Sequence, residues 1–262
     1  MATENARPVR IGVQIAQQHC DYAVLRAAAT EAEDIGVDII FNWDHFFPLT
    51  GDTSGKHFEC WTMLAAWAEQ TSRVELGPLV TANTFRNPDL LADMARTVDH
   101  ISGGRLILGI GSGWSDLDYA EYGYDYGTPG SRLDDLARTL PRMEQRFAKL
   151  NPAPVRKIPV LIGGAGEKKT LPMVARHADI WHSFTGGTEF ARKKQVLTEQ
   201  CALIGRDPGE IEAAVGVGGD PAETADALLE LGATTFTLEI HGPDFDFSPV
   251  RAWVAWRDKL GD

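Results

Sequence analysis

The sequence predicts an α/β fold, a single (β/α)8 TIM barrel that takes up all of residues 1–262. Eight apolar runs of strand length alternate with segments of helical pattern, in a chain of the usual size for such a barrel. Residues 76–114 also predict a parallel β-α-β unit, because two apolar runs flank a helical segment with short connections. A doubly wound open sheet is the alternative, but no Gly-x-Gly-x-x-Gly follows the first run.

The predicted elements follow in chain order. The eight strands are residues 9–15, 37–42, 74–82, 106–112, 158–163, 179–183, 211–217 and 235–240. Apolar residues recur at helical spacing in 22–32, 58–68, 90–101 and 133–150, and later helices are expected over 222–231 and 247–260. Pro141 lies inside one of these patterns and predicts a kink or a division into two helices.

Composition narrows the class of partner. The net charge of −12 argues against nucleic acid or an anionic membrane as a main partner, but it permits a small anionic ligand. Three widely spaced cysteines are typical of reduced thiols in a cytoplasmic protein. The first ten residues lack the apolar segment of a signal peptide, and no apolar run is long enough to span a membrane.

The first candidate for chemistry is the pair Asp44 and His45, which follows the second strand beside aromatic residues. A carboxylate and an imidazole there could transfer a proton over a flat ring. The alternative is an aspartate that caps a helix and a histidine with a structural role. A metal site would add His57 and Cys60, but the spacing matches no standard site.

Two glycine-rich segments follow predicted strands. Residues 109–114 contain three glycines, which let a backbone approach a planar ligand closely, although a tight turn explains them nearly as well. Residues 163–166 contain three more, and a helix is expected to begin at about Glu167. Free N–H groups at that helix start, with Lys168 and Lys169 nearby, favour an anion site over a plain turn. His182, at the end of the sixth strand, is a further pocket candidate.

Taken together, several segments resemble the bacterial-luciferase-like family, and within it the oxidoreductases that depend on the deazaflavin coenzyme F420. The matching segments, in family order, are residues 32–46, 71–77, 86–114, 158–169 and 175–182, and residues 219–238 also fit. The combination is specific, whereas no single segment would be.

The resemblance implies a luciferase-like barrel, usually a homodimer, with a flavin or deazaflavin at the barrel mouth. It implies that Asp44 contacts the ring region and that a non-prolyl cis peptide joins Leu79 and Val80 behind the ring. The remaining implied cofactor contacts are Ala82 and Asn83 beside that peptide, Gly111, Ser112, Gly113 and Trp114 along the ring and ribityl chain, and Gly163, Gly164, Ala165 and Gly166 at the phosphate.

The sequence departs from the family pattern in two places. In the family's sugar-phosphate and alcohol dehydrogenases, the histidine works with a tryptophan four residues on and a glutamate after the glycine-rich turn. His45 is kept, but those positions hold Leu49 and Trp114. The insertion region near residues 151–156, which shapes the substrate pocket in larger members, is also short here.

The functional prediction is an oxidoreductase that transfers a hydride between coenzyme F420 and a small organic substrate. Reduction of the substrate is favoured, with His45 as the proton donor and Asp44 as a second catalytic candidate. One alternative is an FMN-dependent monooxygenase of the same family. A second is a non-catalytic cofactor-binding protein, and a third is a metal-dependent hydrolase. The predicted F420-dependent oxidoreductase is not expected to bind a metal.

Overall fold

The computed structural model describes residues 7–261 and shows parallel strands wound into a barrel with helices around it. The strands are β1 Arg10–Ile15, β2 Ile39–Asn42, β3 Glu75–Pro78, β4 Thr81–Ala82, β5 Leu108–Gly111, β6 Val160–Gly163, β7 Ile180–Ser183, β8 Glu212–Val217 and β9 Thr235–Ile240. The helices are α1 Tyr22–Ile35, α2 Cys60–Gln70, α3 Pro88–Ile101, α4 Asp116–Tyr122, α5 Pro129–Phe147, α6 Thr170–His177, α7 Gly187–Leu203, α8 Pro221–Glu230 and α9 Ser248–Asp258.

The strands form one parallel sheet in the order β3-β2-β1-β9-β8-β7-β6-β5-β4. The predicted eightfold barrel is therefore confirmed, with nine strands because the third predicted strand is divided. A cis peptide bond between Leu79 and Val80 separates β3 from β4. The barrel closes where Leu76 donates to the carbonyl of Arg105 and accepts from the N–H of Ile107.

Two apolar layers hold the barrel together. Inside it, a small cluster that includes Phe41, Ile107 and Ile180 fills the space between the strands. Outside it, a much larger cluster packs the helices onto the strands, with Trp67 and Trp181 among the fully buried side chains. The interior is thus a packed core, as in other barrels of this type, and not a channel.

The amino ends of the strands are closed by charged groups. The Arg10 guanidinium pairs with Glu75 and with Glu212, whose carboxylate also accepts a hydrogen bond from Thr235. These groups lie on β1, β3, β8 and β9, so they tie four strands together at one end. A ligand must therefore enter from the opposite end, where the strands finish.

Three details of the helices differ from expectation. Helix α5 runs unbroken through Pro141, so the predicted division into two helices is wrong. The side chains of Leu136, Leu140 and Met143 are buried on either side of Pro141 and hold the two flanking turns in place. Helix α6 begins at Thr170 and not near Glu167, because residues 167–169 form a turn first. Helix α4 was not predicted. Within the described residues no helix has the length and apolar character to cross a membrane.

Candidate active site

A cavity of about 410 Å³ opens at the carboxyl ends of the strands. Ten of the predicted site residues line it: Asp44, His45, Leu79, Val80, Ala82, Gly111, Ser112, Gly113, Trp114 and Gly163. Six further lining residues were not predicted as contacts: Gln14, Trp43, Leu49, Phe85, Phe184 and Glu239. Asn83, Gly164, Ala165 and Gly166 lie outside its lining. The position agrees with the rule that ligands of such barrels sit beyond the strand ends.

Val80 forms a bulge in the cavity wall. The cis bond that precedes it confirms the non-prolyl cis peptide expected from the resemblance. The neighbouring strands make room for its side chain with glycines. A Cβ atom on Gly111 would lie 2.7 Å from one Val80 methyl carbon, and one on Gly163 would lie 3.1 Å from the other. Glycine at these positions therefore lets Val80 keep its present side-chain position.

Asp44 is held in a network of hydrogen bonds. Its Oδ2 accepts from the Thr81 hydroxyl at 2.6 Å and from the Ala82 N–H at 3.0 Å, and both carboxylate oxygens bind Arg86. Arg86 also reaches Glu59 at 2.7 Å. Burial lowers the pKa of the Arg86 guanidinium, but the carboxylate of Asp44 outweighs this effect, and the net pKa is raised above its ordinary value. The geometry favours a positioning role for Asp44 at β4 over proton transfer, because both oxygens are occupied.

His45 is oriented by a carboxylate that the sequence did not reveal. Its Nδ1 lies 2.6 Å from Oδ2 of Asp118, and Oδ1 of Asp118 accepts from the N–H of Phe46 at 2.8 Å. Burial favours a raised pKa for Asp118, but these hydrogen bonds outweigh it and the net pKa is lowered. An ionised Asp118 requires the proton on Nδ1, so Nε2 is the nitrogen left for the cavity.

Asp118 lies on α4, the helix that was not predicted. Ser115 and Asp118 stand at the spacing that marks a helix start, and this signal could have indicated α4. Nothing in the sequence joins Asp118 to His45, which is 73 residues away in the chain.

Aromatic side chains frame the cavity. Trp114 and Phe184 are 64% and 58% exposed, and the Trp114 ring lies 5.3 Å from the ring of His45. Behind His45, Phe46 stacks on Tyr122 at 3.9 Å. Exposed aromatic rings at the mouth of a cavity suit a flat aromatic ligand.

The glycine-rich loop after β6 leaves backbone donors free. The N–H of Gly164 is used by the carbonyl of His182, but those of residues 165–169 have no acceptor within the described residues. Lys169 is paired with Asp134 at 2.5 Å, whereas Lys168 is exposed. The loop therefore has the free donors expected of an anion site, although only Gly163 reaches the cavity wall.

Two more predicted residues are buried with unpartnered polar atoms. Asn83 is buried, and its side-chain oxygen accepts no hydrogen bond from the residues described. His182 lines an adjoining cavity and not this one.

The residues of the metal alternative have other partners. Nδ1 of His45 binds Asp118, Nε2 of His57 accepts from Trp43, and Sγ of Cys60 donates to Asn42. Over residues 7–261 no three His, Cys, Asp or Glu side chains are grouped as metal ligands would be.

The chain matches known proteins along most of its length. Residues 6–244 match the family model described as luciferase-like monooxygenase. An uncharacterised protein of Mycobacterium tuberculosis is 30% identical over 230 residues, which are 79% of each chain. An F420-dependent glucose-6-phosphate dehydrogenase of Amycolatopsis mediterranei is 30% identical over 169 residues, 57% of this chain and 48% of that protein.

The fold has close counterparts among solved structures. An F420-dependent secondary alcohol dehydrogenase, solved with an F420-acetone adduct, superposes with a TM-score of 0.83 at 16% identity and covers 95% of this chain and 98% of its own. At that identity the likeness concerns the fold.

Proposed function

The chain belongs to the luciferase-like monooxygenase family, and on that basis we propose that it is an oxidoreductase that transfers a hydride between coenzyme F420 and a small organic substrate. One observation carries the proposal. His45, oriented by Asp118, faces the same cavity as the Val80 bulge. A proton-transfer group thus stands beside the place where a flat ring would rest.

The cavity fits a tricyclic ring with a phosphate-bearing chain. Gly111 and Gly163, which leave room for Val80, would let the backbone approach the ring, and Val80 would support it. The free N–H groups of residues 165–169 would hold the phosphate.

The bound deazaflavin would supply the carbon that gives or takes the hydride. The chain's part is to orient both reactants and to move one proton. Because Asp118 holds the proton on Nδ1, His45 would donate from Nε2 only after Nε2 has taken up a second proton from solvent; the imidazolium would give that proton to a substrate that is being reduced and return to the neutral ring. Leu49 and Trp114 both line the cavity where the dehydrogenase pattern has a tryptophan and a glutamate, so we favour reduction of the substrate.

F420 is preferred to FMN because curated relatives that are 30% and 37% identical over about half of this chain are named as F420-dependent. An FMN-dependent monooxygenase remains the second candidate, since the family model is described as luciferase-like monooxygenase.

A titration of the purified protein with oxidised F420 and, separately, with FMN tests the proposal. Trp43 and Trp114 line the cavity, so a bound ring should quench tryptophan fluorescence. Binding of F420 at about micromolar Kd, with FMN at least about tenfold weaker, is expected. Tighter binding of FMN would move the protein to the monooxygenase candidate, and binding of neither would overturn the cofactor assignment.

A further inference from the structure

A second cavity of about 300 Å³ adjoins the first at the top of the barrel. It lies between the ends of β1, β7, β8 and β9, and the two cavities share Gln14, Leu79, Phe184 and Glu239 in their walls. The two cavities therefore adjoin, and a ligand bound in the first could extend into the second.

His182 projects into this second cavity without a partner. Its side chain is 1% exposed, and neither ring nitrogen has a hydrogen-bond partner among the described residues. Burial lowers its pKa to about 3, so the ring is neutral at physiological pH. A neutral imidazole presents one donor and one acceptor. A buried polar group without a partner is costly, and such groups are otherwise rare in folded proteins.

Two neighbours add polar atoms to the same space. Thr237, on β9, is 4% exposed and its hydroxyl also has no partner among the described residues. Gln14 donates to the Leu79 carbonyl at 2.8 Å, which fixes its amide and leaves Oε1 as an acceptor. Two unpartnered groups, His182 on β7 and Thr237 on β9, and the amide oxygen of Gln14 on β1 thus line the same cavity.

Glycines on β8 and just after it keep the cavity open. A Cβ atom on Gly216 would lie 3.9 Å from Cε1 of His182, and one on Gly218 would meet no atom within 4 Å. A side chain larger than that of alanine at Gly216 would therefore occupy the space in front of the His182 ring.

The charges around the second cavity exclude an anion there. Within residues 7–261 no lysine or arginine lines this cavity, and its one charged lining residue is Glu239. A buried carboxylate or phosphate would therefore lack a counter-charge. The neutral donors and acceptors suit an uncharged polar group.

We propose that the second cavity, built from His182, Thr237 and Gln14, binds the non-reacting end of the substrate through an uncharged group that both donates and accepts hydrogen bonds, such as a carboxamide or hydroxyl. As a substrate subsite it rests on the proposed function. It implies that the substrate carries no phosphate or carboxylate at this end, in contrast to the glucose 6-phosphate named for the Amycolatopsis relative.

Two probes of equal shape test the proposal: cyclohexanecarboxamide and cyclohexanecarboxylate. Each is titrated into protein labelled with ¹⁵N-histidine, with and without saturating F420, and the ring nitrogen signals are followed. Signals of His182 are identified by their loss in His182→Leu. The carboxamide is expected to shift these signals and to bind about tenfold or more tightly than the carboxylate.

Three variants separate binding from folding. His182→Leu keeps most of the volume and removes the nitrogens, and Gly216→Val fills the cavity; both should abolish carboxamide binding and leave F420 affinity within about threefold. Gly216→Ala, whose added methyl makes only ordinary contact with the ring, is the matched control and should still bind.

The outcomes distinguish the two proposals. If F420 binds but the carboxamide leaves the His182 signals unchanged, or the carboxylate binds equally well, the subsite is overturned and the nitrogens are solvated by water only. If F420 fails to bind while the carboxamide binds in a His182-dependent way, the pocket chemistry is supported and the cofactor assignment falls.

Discussion

Asp118 decides which nitrogen of His45 can react. It occupies Nδ1 at 2.6 Å and is itself held in place by the Phe46 N–H, so the ring cannot turn without breaking its hydrogen bond to a fixed carboxylate. Such pairs hold one tautomer and one ring orientation in place. Without Asp118, the His45 ring would lack this restraint.

Replacing His45 with Ala should lower kcat by about 100-fold or more, because general acid catalysis contributes that much, while the Kd for F420 stays within about threefold. Asp118→Asn should lower kcat by a smaller factor and remove the downfield Nδ1–H signal of His45 from the NMR spectrum. Steady-state kinetics with any accepted substrate, and F420 titration as the control, measure both. Loss of cofactor binding in His45→Ala would contradict the proton-transfer role.

The unpartnered His182 should make the free energy of unfolding depend on pH in the acid range. Its pKa is about 3 in the folded protein and near the ordinary 6.5 when unfolded, so between these values the unfolded chain binds more protons. The free energy of unfolding should therefore fall as pH drops from 6.5 towards 3, by up to about 1.4 kcal/mol per pH unit from this residue.

His182→Leu should reduce that slope and raise the free energy of unfolding at pH 7 by about 1 kcal/mol, because it removes two buried unpaired nitrogens. Urea unfolding at several pH values measures both effects. His57, whose pKa burial lowers to about 4, contributes a slope of the same sign that should remain in the variant. Equal slopes in the variant and the wild type would contradict the assignment.

At the level of elements, the cavity wall depends on how closely β3, β4 and β5 approach one another. A Cβ atom on Gly109 would lie 1.9 Å from the Pro78 carbonyl oxygen, which is backbone and cannot move aside. One on Gly111 would meet only a methyl group of Val80, which can rotate. The two glycines therefore differ in what they protect, the fold in one case and the ring seat in the other.

Gly109→Ala should lower the free energy of unfolding by about 3 kcal/mol or prevent folding, since overpacking against backbone forces strands apart. Gly111→Ala should cost less stability but weaken F420 binding by about tenfold or more, because Val80 must shift. Gly130→Ala, in the first turn of α5 with only a 3.7 Å contact, is the control and should be neutral or slightly stabilising. Thermal unfolding and F420 titration give the comparison; similar effects for all three would argue against the ring seat.

At the level of the whole molecule, the homodimer expected from the resemblance stays a prediction. Helices α2 and α3 leave a shallow apolar groove between them, lined by Ala65, Leu90, Met94 and Ile101. Leu90 is 54% exposed there. A partly exposed apolar groove of this kind is a candidate for the twofold interface of a homodimer.

Light scattering after size exclusion should give twice the mass of the chain, and Leu90→Glu should shift the protein towards the monomer by placing a charge in the apolar groove. Leu203→Glu, at a site 77% exposed on α7, is the matched control and should not change the mass. A monomer in the wild type would contradict the prediction, and a dimer unaffected by Leu90→Glu would place the interface elsewhere.

The sequence by itself determined the eight strand segments, most of the helices and the glycines around Val80. These depend on apolar periodicity and on local backbone demands, which neighbouring residues express directly. The resemblance added the cis peptide between Leu79 and Val80, which the periodicity could not have shown.

Only the tertiary structure decided what the polar side chains of the site do. Asp118 reaches His45 across 73 residues, Arg86 occupies both oxygens of Asp44, and His182 is left without a partner inside the barrel. Hydrogen-bond partners, burial and the resulting pKa shifts follow from which strand ends meet when the barrel closes. That closure brings together residues whose separation in the chain carries no signal of their contact.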